Sequence, residues 1–168
     1  PSLTLWADTN DNRYTAIKHH WWWKVAFVFD HVQVLAHHPG PKVFIEEDNY
    51  FAPDMLHVVG LLTTALATTA TESGLFSLGT YEVPARGREM LAKSVAWDPT
   101  KHNMGMGFNR TFWDHLKGCR TQFCNYDDYN WDWTVLKLSA MQCFNRPHGR
   151  VIGLRSLLLT YPRSFHTG

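Results

Sequence analysis

Apolar residues recur at helical spacing through Trp22, Val25, Ala26, Phe29 and Val32, which predicts a helix over about 20–36. His38-Pro39-Gly40-Pro41 ends it. Val43-Phe44-Ile45 is a short apolar run of the kind that forms a buried strand, and it stops abruptly at Glu46-Glu47-Asp48. Ala52-Pro53-Asp54 opens a second helix, with Leu56, Val59, Leu62 and Leu66 as its apolar stripe and a Thr-rich tail at 63–71 that predicts fraying. Leu75-Phe76-Ser77-Leu78 reads as a strand, 79–93 as a loop and 95–97 as a short strand. Residues 102–108 form a further strand candidate whose glycines permit close backbone approach. Asn109 or Thr111 caps a helix at 111–117. Residues 123–134 run into a helix through Leu136 and Leu138, and 155–160 is a last strand. Strands and helices in alternation predict an α/β domain with a mixed sheet.

Composition narrows the class. The 168 residues suffice for one domain with a core, and 45% hydrophobic against 18% charged is a globular balance. Sixteen Lys and Arg against 15 Asp and Glu leave +1, so no basic field draws nucleic acid. Three cysteines are an odd number, and no CxxC is present, which argues against a structural zinc site. No signal peptide and no membrane-length apolar run occur. A start on Pro1 and an end just after His166 read as a piece of a longer protein.

Candidate chemistry concentrates in three places. Residues 123–134 set Asp127, Asp128 and Asp132 among two tyrosines and two tryptophans. That mixture suits a shielded general base or a sugar platform; the plainer reading is a helix start, with Asp127 or Asp128 as N-cap and the rings as core. Glu46-Glu47-Asp48 lies at the end of a predicted buried strand, where open α/β sheets place ligand chemistry and where carboxylate oxygens suit a hard cation. Lys18-His19-His20-Trp21-Trp22-Trp23-Lys24 opens a helix; either it faces a ligand's phosphate or sugar, or the rings fill the core and the histidines cap the helix. Arg86 and Arg88 are either solvated or reach toward a phosphate. An Asp and a His from distant strands can hold a divalent metal, and a third carboxylate can serve as base. Together Asp48, His166 and Asp132 fit metal-dependent group transfer from a nucleotide-activated donor. No phosphate-binding G-x-x-x-x-G-K-[ST] loop, G-x-S-x-G elbow or H-E-x-x-H helix competes with that chemistry.

The strings Lys18-His19-His20-Trp21-Trp22-Trp23-Lys24, Phe44-Ile45-Glu46-Glu47-Asp48, Ser77-Leu78-Gly79-Thr80-Tyr81, His102-Asn103-Met104-Gly105, Tyr126–Thr134 and Pro162-Arg163-Ser164-Phe165-His166 follow one another along the chain. In that order and over most of the chain, they resemble the N-acetylglucosaminyltransferase II family of N-glycan synthesis. The resemblance implies a GT-A glycosyltransferase fold, a Rossmann-like mixed sheet flanked by helices, of which residues 1–168 would be the central part, incomplete at both ends. It implies an inverting, Mn2+-dependent transfer of GlcNAc from UDP-GlcNAc to the 2-hydroxyl of the α-1,6-arm mannose of an N-glycan on a glycoprotein. It further implies a Golgi membrane protein with a lumenal catalytic domain, anchored by a segment absent from this chain.

Carried onto this sequence, the resemblance makes Asp132 the catalytic base and Asp48 and His166 the metal ligands. Lys18, His19, His20 and Glu47 fall to the donor, and Asn103, Tyr129 and Trp131 to the acceptor. Cys119 and Cys143 match a family disulfide, and Cys124 a cysteine whose partner would lie beyond Gly168. Tyr129 and Trp131 would wall the acceptor side, Trp133 would be core, and Asp127 and Asp128 would sit in the first helical turn. The chain departs from the family in the loop at 79–93, where a donor-contacting arginine falls one position from Arg86, and around 60–74, which lacks a cysteine pair. A glycan-binding module without catalysis is the alternative function.

Overall fold

The computed structural model describes residues 12–68, 74–82, 92–127, 129–141, 143–144 and 154–167. Arg86, Arg88 and Asp128 lie outside them. In chain order the elements are α1 (Asn12–Ala26), a π-helical turn (Phe27–His31), α2 (Gln33–Ala36), β1 (Lys42–Phe44), β2 (Asn49–Phe51), α3 (Met55–Thr68), β3 (Leu75–Ser77), β4 (Ala92–Ala96), β5 (Met106–Phe108), α4 (Arg110–Gly118), α5 (Arg120–Asn125), α6 (Trp131–Leu138), β6 (Arg155–Leu159) and β7 (Ser164–His166). Among the described residues no helix is long and apolar enough to cross a membrane.

Five strands form one mixed sheet in the order β1-β5-β3-β6-β4, with β3 and β6 parallel and the other pairs antiparallel. The predicted α/β architecture with a mixed sheet is therefore what the chain builds. Side chains alternate across each strand, so Leu75 and Phe76 enter different cores. Leu75 joins Trp21, Val25, Phe29, Phe108, Phe112, Trp113, Phe123 and Trp131 on the side of α1 and α4–α6. Phe76 joins Val58, Leu62, Leu157 and Leu159 on the side of α3. Gly107 pairs across from Phe76, and a β-carbon there would lie 2.2 Å from its ring, so only glycine allows that ring to cross the sheet.

Several expectations change at tertiary contacts. The first helix begins earlier than predicted and becomes a π-turn at Phe27–His31. Arg110 donates to the carbonyls of Phe29 and Ala36, and Asp30 accepts from Arg110 and from Trp113 Nε1 at 3.1 Å, so α4 fixes the wider turn. The Thr-rich segment stays helical to Thr68, with the hydroxyls of Thr63, Thr64 and Thr68 satisfied by carbonyls four residues earlier rather than pulling the backbone out of the helix; 69–71 lie outside the described residues. Leu56 is 78% exposed, and Val58 takes its place in the buried stripe with Leu62. Of the 102–108 segment only Met106–Phe108 is strand; the residues before it form turns. Asn109 caps α4, its carboxamide oxygen accepting from Phe112 N–H at 3.0 Å.

Cys119 and Cys143 are disulfide-bonded, with Cα atoms 5.0 Å apart, and tie the start of α5 to the segment that follows α6. Closing 24 residues of chain contributes on the order of 3 kcal/mol in the loop-entropy account. Cys124 is a free, half-buried cysteine.

Candidate active site

Chain reversal after β1 builds the first half of the site. Asn49 N–H donates to the Glu46 carbonyl at 3.1 Å, which turns the acidic triplet into β2. β2 then pairs antiparallel with β7, setting Asn49 opposite His166. That register brings residues 118 positions apart together: His166 Nε2 lies 2.9 Å from Asp48 Oδ2. The second Asp48 oxygen accepts from Asn49 Nδ2 at 3.0 Å, and the Asp48 carbonyl accepts from Thr167 N–H and Oγ1. Arg163 braces the approach to β7, its Nε 2.8 Å from Asp54 just before α3.

The second half comes from α6. Asn130 caps this helix, accepting from Trp131 N–H at 2.8 Å. This corrects the expectation that Asp127 or Asp128 begins the helix. Asp127 instead forms an Asx turn, accepting from Tyr129 N–H, and receives the Lys18 ammonium at its carbonyl and carboxylate. Asp132 occupies the first turn of α6 and is 5% exposed. One of its oxygens accepts from Trp133 N–H at 2.8 Å and the other from the Asn103 amide at 3.2 Å. Burial raises the Asp132 pKa above the usual aspartate range, and the two hydrogen bonds oppose that only in part. A carboxylate held by two donors, yet closer to neutral pH than a solvated aspartate, is suited to accept a proton.

Asn103 owes its position to a knotted turn. Asp98 N–H donates to His102 Nδ1 at 3.1 Å, Trp97 Nε1 donates to the His102 carbonyl at 3.0 Å, and Ser77 Oγ donates to the same carbonyl. Burial lowers the His102 pKa, which keeps the ring neutral and its Nδ1 an acceptor.

The two halves share one electrostatic neighbourhood. Burial raises the Glu46 pKa, the Asp48 charge raises it further and Glu47 and Asp132 add to this, while Lys24 acts in the opposite direction. Lys24, Glu46, Asn103, Trp21 and Trp131 line a single cleft. Tyr129 is half-buried against Tyr14, ring centroids 5.2 Å apart, and its phenol pKa is raised by burial and then by Tyr14 and Asp132. Trp131 is 4% exposed and stacks parallel to Trp21 at 4.4 Å.

The structure thus gathers Asp48 with His166, and Asp132 with Asn103; Tyr129 and Trp131 stand beside that second pair. Of the Lys18–Lys24 segment it brings Trp21 and Lys24 to the cleft, but not the expected donor residues Lys18, His19 and His20. Lys18 is fully buried and bound to Asp127, whereas His19 and His20 are exposed on α1 and His20 stacks on Trp23. Glu47 is exposed. Trp133, expected in the core, is 39% exposed, because the face of α6 bearing Trp131, Val135 and Leu138 is the one that packs. Glu46, Lys24 and Tyr81 lie within the strings singled out in the sequence but carry no individual role there; Glu46 and Lys24 line the cleft, and Tyr81 feels the charges of Glu46, Asp48 and Asp132. Tyr81 was open to recognition: it is an aromatic residue just past the carboxyl end of the buried strand β3, where α/β sheets place ligand contacts.

A sequence profile of the N-acetylglucosaminyltransferase II (MGAT2) family matches residues 6–168. The chain belongs to this family. Its similarity to the α-1,6-mannosyl-glycoprotein 2-β-N-acetylglucosaminyltransferase of Sus scrofa is 38% identity over 160 residues, covering 93% of this chain and 34% of that protein. The Homo sapiens protein of the same name is 37% identical over 161 residues, with the same coverage. The Arabidopsis thaliana protein is 33% identical over 123 residues, 73% of this chain and 28% of its own length. The chain spans about a third of the length of the animal relatives it matches. In this member of the family Asp48, His166, Asp132 and Asn103 all fall inside the matched region.

The donor set around Asp48 also bears on the Mn2+ expected from the sequence. Among the described residues no three or more His, Cys, Asp or Glu are gathered for a metal, so the protein offers the Asp48–His166 pair. Two ligand atoms 2.9 Å apart fit adjacent corners of one coordination shell, given metal–ligand distances of about 2.0–2.2 Å. A carboxylate with one imidazole is a mixed hard set that Mn2+ accepts. The residues fit the ion, with the other positions left to water or a ligand.

Proposed function

We propose that the complete protein is an inverting glycosyltransferase that moves GlcNAc from UDP-GlcNAc to the 2-hydroxyl of the α-1,6-arm mannose of an N-glycan. What supports this reading is the pairing of Asp48 with His166, together with a buried Asp132 whose charge, like that of Asp48, reaches Glu46, in a chain of this family. Asp132 takes the proton of the acceptor hydroxyl. The acceptor oxygen bonds to the anomeric carbon as the bond from that carbon to the diphosphate oxygen breaks, and UDP leaves with the electron pair. Asp48 and His166 would hold Mn2+, which when bound offsets the negative charge of the leaving diphosphate. Trp131, Tyr129 and Asn103 orient the acceptor sugar, with the Trp21 stack holding Trp131 in place.

The mixed sheet with a layer of helices on each face supports a GT-A fold for the domain. The Cys119–Cys143 disulfide supports an oxidising compartment and is consistent with a lumenal catalytic domain in the Golgi, on a protein anchored in the membrane by a segment outside this chain. Full-length enzyme given UDP-GlcNAc, Mn2+ and an N-glycan with a free α-1,6-arm mannose is expected to release UDP and add one GlcNAc. The same glycan with a 2-deoxy mannose on that arm is expected to stay unmodified. Glycan binding with no UDP release would overturn the proposal.

A further inference from the structure

Tyr81 stands between the two halves of the site. Its ring centroid lies 6.1 Å from that of His166, tilted by 51°. It is close enough to Glu46, Asp48 and Asp132 for all three charges to act on it. The ring is 52% exposed, and among the described residues no group bonds to its hydroxyl.

The backbone that presents Tyr81 is firmly held. Leu78 and Gly79 N–H donate to the carbonyls of Gly105 and Met104, and Tyr81 N–H donates to that of Lys101 at 3.1 Å. The Leu78 carbonyl accepts from Arg163 and Ser164 N–H, which ties this turn to β7. Gly79 permits the contact, since a β-carbon there would lie 2.5 Å from the Ser164 carbonyl oxygen. Tyr81 is therefore fixed to both the turn that carries Asn103 and the strand that carries His166. An aromatic residue with an unused hydroxyl on such a scaffold is placed for a ligand rather than for the core.

Its chemistry selects which ligand group it meets. The charges of Glu46, Asp48 and Asp132 all reach this region, and a lysine or arginine placed here would be drawn to them. A phenol is a neutral donor, protonated at neutral pH with an ordinary pKa near 10. It can therefore donate to an oxygen in an acidic environment without being neutralised. Tyr129 and Trp131 already flank Asp132 on one side; Tyr81 lies on the side of the Asp48–His166 pair, where the leaving diphosphate and the sugar bound to it would sit.

We propose that Tyr81 is a donor-contacting residue whose phenolic hydroxyl donates a hydrogen bond to the sugar–diphosphate portion of the nucleotide sugar. This rests on the transferase reading of the site. Tyr81→Phe keeps the ring against His166 and removes only the hydroxyl. In the full-length enzyme with Mn2+, calorimetric affinity of Tyr81→Phe for UDP-GlcNAc is expected to fall by about tenfold or more, as for loss of a hydrogen bond to a charged partner. The KM for the glycan acceptor and the thermal midpoint are expected to stay unchanged, which a merely structural role would not produce. Equal affinity of wild type and Tyr81→Phe for UDP-GlcNAc would overturn the proposal, as would an equal loss toward donor and acceptor. Wild-type enzyme that binds UDP-GlcNAc but transfers nothing would overturn the transferase reading alone, and the affinity comparison would still decide the role of Tyr81.

Discussion

Asp132→Asn in the full-length enzyme is expected to cut transfer by about 10²–10⁴-fold while leaving UDP-GlcNAc affinity and the thermal midpoint near those of wild type. The substitution is nearly isosteric. The carboxamide oxygen can still accept from Trp133 N–H, so the first turn of α6 keeps its geometry. What is lost is the ability to take a proton. Initial rates with labelled donor, read beside calorimetric donor binding, separate chemistry from binding; near-normal turnover would remove Asp132 from the role of base. The direction of its pKa adds a second signature. The base must be deprotonated to act, and burial raises its pKa, so activity is expected to fall on acidification from a pH above the range of a solvated aspartate.

The next largest effect is expected at Asp48. Asp48→Ala removes one of the two side chains proposed to hold Mn2+ and leaves His166 without its carboxylate partner. Loss of partners outside the ligand shell alone commonly costs 10–100-fold in metal affinity, so direct loss of a ligand is expected to exceed about a hundredfold. In a titration of UDP-GlcNAc against the full-length enzyme, wild type is expected to bind more tightly with Mn2+ than with EDTA. The variant is expected to bind equally weakly under both conditions. A variant that retains the Mn2+ enhancement would place the metal elsewhere.

Local patterns in the sequence were good guides where neighbours along the chain decide the outcome. The strands expected at Val43–Ile45 and Leu75–Leu78 and the cap expected at Asn109 or Thr111 each depend on a few adjacent residues; the structure has strands at Lys42–Phe44 and Leu75–Ser77 and the cap at Asn109. The π-turn was not legible, because Asp30 and Arg110 meet across 80 positions. Nor was β7, a three-residue strand that pairs with β2, although this pairing is what sets His166 beside Asp48. Lys18 illustrates a different blind spot. A lysine beside two histidines was expected to face the donor, yet its position on α1 points inward and the Asp127 turn supplies the partner that burial requires. Trp133 shows the reverse: a tryptophan is assigned to the core by type, but helical phase turns it outward.

Candidate site residues that are neighbours in sequence were easier to group than those the fold assembles. Asp132, Tyr129 and Trp131 lie within four positions, so one string carried them. Tyr81, Glu46 and Lys24 come from three separate segments, and only the fold brings them to one cleft or one set of charges.

The central claim is a single in-line displacement at the donor's anomeric carbon, and the configuration of the new bond tests it most directly. Proton NMR of the product, recorded as the full-length enzyme consumes α-linked UDP-GlcNAc, reports the anomeric coupling before any rearrangement. The account predicts a β-linked GlcNAc on the 2-hydroxyl of the α-1,6-arm mannose from the first turnover. An α-linked product would contradict it.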